Sequence, residues 1–328
     1  MKKLKEIAAI FPAAAIALSL AGPAFGQTRA DQIKRVQEAI RQKGARWVAG
    51  ETSVSDLTDD EWRYKVGLNF TELKGPPVEG LDERGLPPAL DWRSSGGGYV
   101  TPVRDQEKCG GCWAFAMTGG LESYVLRNAG RPGADLNLSE QVMISCSGVG
   151  SCNGGTLNAD YLQTTGLPKE SAYPYTSSDG SCSAAAQGWQ DRTYTIGSWG
   201  TVPQKIQSLK AALVKYGPLP TAMMVYEDFM HYRGGVYSYT TGKRLGGHAV
   251  LLVGYDDAEQ CFIVKNSWNT RWGEAGFFRI AYSEMSSPVS FGLSTIAYSA
   301  QAKGAVSGDA ARAEAWTRVS PLFDAAWN

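Results

Sequence analysis

Residues 106–115 read Gln106-Glu107-Lys108-Cys109-Gly110-Gly111-Cys112-Trp113-Ala114-Phe115, and the rest of the chain falls into place around them. The run from Cys112 to Asn128 predicts a helix that buries Phe115, Leu121, Tyr124 and Val125. A cysteine in the first turn of that helix faces the positive end of the macrodipole, which favours thiolate over thiol. The glycines before it let backbone and substrate approach closely. A redox pair would want a βαβ context around the Cys-x-x-Cys spacing, and none is present. With only two histidines in the chain, a metal site has no convincing second pair of ligands.

A nucleophilic Cys112 needs a base, and the choice is between His231 and His248. His231 sits in the mixed segment Asp228-Phe229-Met230-His231-Tyr232-Arg233 and reads as structural. His248 follows Gly246-Gly247 and opens the apolar strand Ala249-Val250-Leu251-Leu252-Val253-Gly254-Tyr255. A buried, hydrogen-bonded core histidine is the plain alternative there. If 248–255 and 261–266 form a hairpin turning around Asp257, His248 lies opposite Asn266 with both side chains on one face. The Asn266 amide then accepts from one imidazole N–H and turns the other nitrogen toward a thiol, with Trp268 shielding that bond from water. The same register puts Cys261 opposite Val253 on the other face, which removes it as a nucleophile.

A third strand is expected at 276–282. Residues 135–166 read as helical in part, and much of the remainder up to Met230 as irregular. Helix first and strands later imply two subdomains of different class packed together. Upstream, Asp31–Lys43 carries Ile33, Val36 and Ile40 on one helical face and stops at Gly44. Thr58-Asp59-Asp60-Glu61 is a capping box, with Leu57 and Trp62 placed as its hydrophobic staple. Lys74-Gly75-Pro76-Pro77, Gly80 and Gly85-Leu86-Pro87-Pro88 then make an extended stretch, suited to a linker or to a processing site.

The first residues form a targeting segment: Lys2, Lys3 and Lys5, an apolar stretch from Ile7 to Ala21, and Ala24-Phe25-Gly26 before a cut at Gln27. Export to an oxidising compartment, secreted or periplasmic, is the expectation, with no membrane attachment after signal removal. The six cysteines at 109, 112, 146, 152, 182 and 261 fit that compartment. Lys+Arg and Asp+Glu are both 32, so there is no charge excess to support nucleic-acid binding. The tail from Gln301 to Asn328 is Ala-rich and has no functional reading.

Taken together, these segments resemble the papain-like (clan CA, family C1) cysteine peptidases from about Leu86 to Ala300. The resemblance rests on Leu90-Asp91-Trp92-Arg93, residues 106–115, Leu138-Ser139-Glu140-Gln141, Cys152-Asn153-Gly154-Gly155, Tyr173-Pro174-Tyr175, His248-Ala249-Val250, Asn266-Ser267-Trp268 and Trp272-Gly273-Glu274, in that order. It implies an α+β fold, a helical left subdomain and a β-barrel-like right subdomain with the active-site cleft between them. It implies Cys112 as nucleophile, His248 as general base and acid, Asn266 orienting the imidazole, and Gln106 with the Cys112 N–H as oxyanion hole. It maps bridges onto Cys109–Cys152 and Cys146–Cys182, leaving Cys261 unpaired. Another family bridge is missing, because Phe291 stands where one of its cysteines is expected.

The resemblance further implies that Gly154 and Gly155 hold the substrate backbone extended. Thr156, Leu157, Ala222, Ala249 and Ile296 would wall the pocket for the second residue before the scissile bond, and Trp268 would complete the substrate-binding set. That lining is apolar, so a hydrophobic residue is expected there; a plain core role is its rival. The expected organisation is a signal peptide at 1–26, an inhibitory pro-segment at 27–85, a catalytic domain at 86–300 and a tail at 301–328. The pro-segment is short and resembles the cathepsin B-like kind, without the histidine-bearing insertion that makes cathepsin B an exopeptidase. The expected activity is therefore that of a monomeric endopeptidase on protein or peptide substrates, made as a zymogen, with its own pro-segment as intramolecular inhibitor and no cofactor or metal. Two alternatives stand beside it: a catalytically silent peptide-binding relative, and a transpeptidase or ligase using the same acyl-enzyme. Three positions depart from the family pattern. Glu107 and Asn269 stand where glycine is common, and Gly247 where many relatives carry Asp.

Overall fold

The protein is described here by a computed structural model covering residues 28–300; the expected signal peptide at 1–26 and the tail at 301–328 lie outside the described residues. Ahead of the catalytic region, α1 (Arg29–Lys43) begins on a Thr28 capping box and ends on Gly44 in the left-handed conformation. Strand β1 (Trp47–Ala49) follows, and α2 (Asp59–Trp62) begins on the Thr58–Glu61 capping box read from the sequence. Strand β2 (Ala89–Asp91) opens the catalytic region.

The helical side is organised by α3 (Cys112–Ala129), which is apolar around most of its circumference and so lies at the centre of a hydrophobic cluster. Helices α4 (Glu140–Cys146) and α5 (Asp160–Thr164), and the short hairpin β3 (Gly150–Ser151) and β4 (Gly154–Gly155), surround it. Disulfides join Cys109 to Cys152 and Cys146 to Cys182. Each closes a loop of some tens of residues, a constraint that stabilises by about 2–4 kcal/mol. The first also fixes the loop that carries Gln106 against the loop that carries Gly154 and Gly155.

The β side contains β5 (Ser198–Thr201), α6 (Ile206–Tyr216), β6 (Leu219–Tyr226), β7 (Tyr232–Tyr237), β8 (Arg244–Asp256), β9 (Cys261–Lys265), β10 (Phe277–Ala281) and β11 (Ile296–Ser299). Its main sheet has the order β1-β7-β10-β9-β8-β2, with β6 also paired to β8. Helix α6 and strand β6 correct the expectation of irregular chain up to Met230. The helix starts on Lys205 without a side-chain cap, and β6 is buried on both faces, so neither a cap nor an alternating pattern marks them.

The hairpin register is also corrected. Asp256 pairs with Cys261 and Tyr255 with Phe262, then a bulge between Leu252 and Gly254 shifts the pairing to Leu252 with Val264 and Leu251 with Lys265. Cys261 therefore faces Asp256, not Val253, and His248 is not directly opposite Asn266. Continuing the outer register puts the two in a diagonal relation, two residues out of opposition. A shift of two keeps both side chains on the same face of the pleat, so their contact survives.

Residues 28–85 do not fold apart from the rest. Strand β1 adds an antiparallel edge strand to β7, Leu68 bridges Gly155, and Pro77 bridges Thr201. His231 is buried against this segment, with Ser55 Oγ 3.0 Å from its Nδ1 and its ring edge-on to Trp62. The upstream segment thus runs across both subdomains.

Candidate active site

Three elements converge on Cys112. Helix α3 carries it in its first turn, β8 carries His248, and the segment after β9 carries Asn266. His248 Nε2 lies 2.8 Å from Asn266 Oδ1. The Asn266 carbonyl oxygen also accepts from Ser267 N–H, which fixes the amide so that its oxygen faces the ring. Trp268 stacks on His248 with ring centroids 4.8 Å apart. Cys112 Sγ accepts a hydrogen bond from Ala249 N–H at 3.4 Å, so thiol and imidazole are held by consecutive residues of one strand.

Gln106 is fixed by partners the sequence reading did not single out. Ser267 Oγ donates to its Oε1 at 2.7 Å, and Tyr175 Oη donates to its backbone carbonyl at 2.7 Å. The first bond turns the amide so that Nε2 points into the cleft, where it donates to Tyr64 O at 2.9 Å and to Cys109 O at 3.0 Å. Both supports lie within the quoted motifs Asn266-Ser267-Trp268 and Tyr173-Pro174-Tyr175, which was the signal available for finding them.

The cleft is filled by the upstream segment. Trp268 Nε1 donates to Lys65 O at 3.1 Å, and Gly67 N and Leu68 N each donate to Gly247 O at 2.9 Å. Asn69 N donates to Gly155 O and Gly155 N to Gly67 O. Gly247 thus lies directly under this segment. A side chain on it would strike Leu68 O and the Phe70 ring, which accounts for glycine where many relatives carry Asp. Leu157, Ala222, Ala249 and Ile296 are buried in one hydrophobic cluster with Leu68, and Phe70 and Leu73 pack against it. Thr156 is half-buried beside Gly155, while Trp268 belongs to the hydrophobic cluster of the β side.

Electrostatically the site differs from the expectation of a thiolate. Burial pushes the Cys112 thiol up to about 12, and the backbone N–H groups of Ala249, Trp113 and Cys112 only partly oppose it. Burial likewise takes His248 down to about 4, against the Asn266 hydrogen bond and together with the nearby Lys65 charge. The helix terminus favours thiolate, but removing the sulfur from water is the larger effect. With the cleft covered, burial favours the neutral form of both groups. Cys261, the other free cysteine among the described residues, is buried and pushed up to about 11.

Residues 86–298 match the family described as Papain family cysteine protease. A cathepsin L-like proteinase of Fasciola hepatica is 38% identical over 251 residues, covering 72% of this chain and 74% of that protein. Human cathepsin L2 is 34% identical over 245 residues, covering 69% of this chain and 70% of its own length. Among solved structures, the digestive procathepsin L2 proteinase of Tenebrio molitor larval midgut superposes with a TM-score of 0.71 at 28% identity, covering 83% of this chain and 90% of that one. ProCathepsin B S9 of Trypanosoma congolense gives a TM-score of 0.73 at 22% identity, with 81% and 97% covered, a likeness of fold alone.

Proposed function

Since the chain belongs to the papain family of cysteine proteases and is a cysteine endopeptidase of that family, we propose that it is exported and held inactive by residues 27–85 until they are cut away near Gly85. Cys112 attacks the scissile carbonyl with His248 as its base, the Gln106 amide receives the developing oxyanion, and Asn266 holds the imidazole. His248 then protonates the leaving amine and activates water against the thioester. The hydrogen bond from Gln106 Nε2 to the Tyr64 carbonyl carries this reading, because it shows the amide donating to a backbone carbonyl, the kind of oxygen a substrate would bring to it. The sequence features 1–26 and the two disulfides support export. The apolar cluster around Leu68 supports preference for a hydrophobic residue at the second position before the scissile bond. The shortness of the pro-segment supports its likeness to the cathepsin B kind, and the enzyme is proposed to act as a monomer.

Cleavage of a peptide library by the processed protein, with and without an added amine, tests the reading. Free carboxyl products with hydrophobic residues at that second position are expected in both conditions. Products capped by the amine as the main species would mark a transpeptidase, and binding without turnover a silent relative.

Two predictions concern the pro-segment. A Cβ on Gly67 would lie 2.1 Å from Gly110 O, a backbone atom two residues before the start of helix α3. Gly67→Val is expected to lift the pro-segment from the cleft and give measurable peptide hydrolysis by the full-length precursor, read with a fluorogenic substrate; a silent full-length G67V would contradict the occlusion.

The second follows from the two histidines. Burial takes His231 down to about 4, with Arg29 pushing the same way, as Lys65 does for His248. Both of those cations belong to the pro-segment. In the docked form the rings are neutral down to about pH 4, whereas a released, hydrated histidine titrates near 6.5. Release therefore takes up protons in this window, and the pro-segment's grip, complete above about pH 6.5, is lost as pH falls toward 4. Processing of purified precursor is expected to accelerate on acidification across that range; a rate that falls or stays flat would contradict it.

A further inference from the structure

Lys65 is the feature of the pro-segment that occlusion alone does not account for. Its side chain is 7% exposed, yet it carries an ammonium, which lies 3.4 Å from Asp105 Oδ1. Its burial pulls its pKa down, and Asp105 and Glu107 both act against that, so both carboxylates feel the charge. A cation enters a dry cleft only where something compensates it. The compensation comes from the two residues that flank the oxyanion-hole glutamine.

The flank is itself a constructed wall. Asp105 Oδ1 accepts from Glu107 N–H at 2.9 Å, and Asp105 Oδ2 accepts from Asn269 Nδ2 at 2.7 Å. Glu107 and Asn269 have φ of 49° and 57°, the left-handed region that glycine occupies without strain. These are the two positions where side chains replace the glycines common in the family. Asp105 thus ties together both departures, and the Glu107 carboxylate adds a charge that glycine would not bring. Lys108, the neighbouring cation, pairs in the precursor with Glu61 of the pro-segment at 3.3 Å.

The wall's position relative to the scissile bond follows from the path of the pro-segment. Residues 67–69 lie on Gly155, on the acyl side, and Tyr64 is at the Gln106 amide. Lys65 lies between that amide and Trp268, whose ring stacks on His248, the group that serves the leaving amine. Lys65 therefore sits on the leaving-group side.

We propose that Asp105 and Glu107, beside Trp268, form a cation subsite on the leaving-group side of the cleft, held by Lys65 in the zymogen and by a lysine or arginine of the substrate in the mature enzyme. The proposal rests on the reading of Cys112, His248 and Gln106 as the hydrolytic machinery. Asp105 and Glu107 are then specificity residues.

The test uses processed wild-type enzyme and two sets of peptides, identical except for lysine or its neutral isostere norleucine at the first or second position after the scissile bond. Cleavage of the norleucine peptides, and its loss in Cys112→Ala, reports on the hydrolytic reading alone. The lysine-to-norleucine ratio of kcat/KM reports on the subsite. A ratio of about 3 or more at one of the two positions is expected, the size of a partly screened ion pair, shrinking at high salt. Glu107→Gln and Asp105→Asn are each expected to bring that ratio toward 1. The Glu107 change keeps the Asp105 bonds that hold the wall and so reads charge alone. Equal kcat/KM for lysine and norleucine at both positions in the wild type, or a lysine preference unchanged in both variants, would overturn the proposal.

Discussion

Replacing Cys112 by Ala is expected to lower peptide hydrolysis by roughly 10^6-fold, the scale seen when a covalent nucleophile is removed. The same change should leave the precursor uncut near Gly85. The only other free thiol among the described residues, Cys261, begins β9 and pairs with Asp256, at the far end of the hairpin from His248. No second sulfur can therefore take over the attack. The substitution should be mild for folding, since the sulfur's hydrogen bond is a single long one from Ala249 N–H. Mass spectrometry of the precursor's N-terminus, beside a hydrolysis assay, checks both halves. Continued self-cleavage in a well-folded C112A protein would mean that another group performs the chemistry.

Replacing Gln106 by Ala is expected to lower kcat by about 10^2–10^3-fold while KM changes little, because the amide is aimed at charge that develops only in the transition state. Its aim comes from Ser267, which fixes Oε1, and from Tyr175, which fixes the backbone carbonyl. Gln106→Glu keeps the shape and removes the donor, so it separates loss of the hydrogen bond from loss of packing. In the precursor either change also deprives Tyr64 O of its donor, so the pro-segment should be held less firmly. Steady-state kinetics of processed enzyme read the first effect, and limited proteolysis of the precursor the second. A raised KM with kcat intact would instead assign Gln106 to substrate binding.

Which parts of this architecture can be read in the sequence follows from the range of the interactions. Helix α3 is legible because glycines, a cysteine and a continuous apolar run sit side by side, and α2 because its capping box is a four-residue signal. Strands β8, β9 and β10 are legible from apolar runs bounded by turn residues. The pairing of β8 with β9 is not, because the bulge at Val253 depends on packing that no local pattern records. The His248–Asn266 contact survives that error only because the shift is an even number of residues. Helix α6 and strand β6 lack a cap and an alternation. The pull of burial toward neutral Cys112 and His248 is not legible either, since a helix terminus is local whereas the covering by Tyr64, Lys65 and Gly67 joins residues some forty or more positions apart.

The most direct test is reaction of the protein with a thiol-directed peptide affinity probe before and after removal of the pro-segment, followed by mapping of the labelled residue. The precursor should react slowly at neutral pH, because its thiol is buried, neutral and pushed up to about 12. After processing, stoichiometric label at Cys112 is expected, with none at Cys261. Label on any other residue, or a processed protein that cleaves peptides while Cys112 stays unlabelled, would contradict the assignment of Cys112 as the nucleophile.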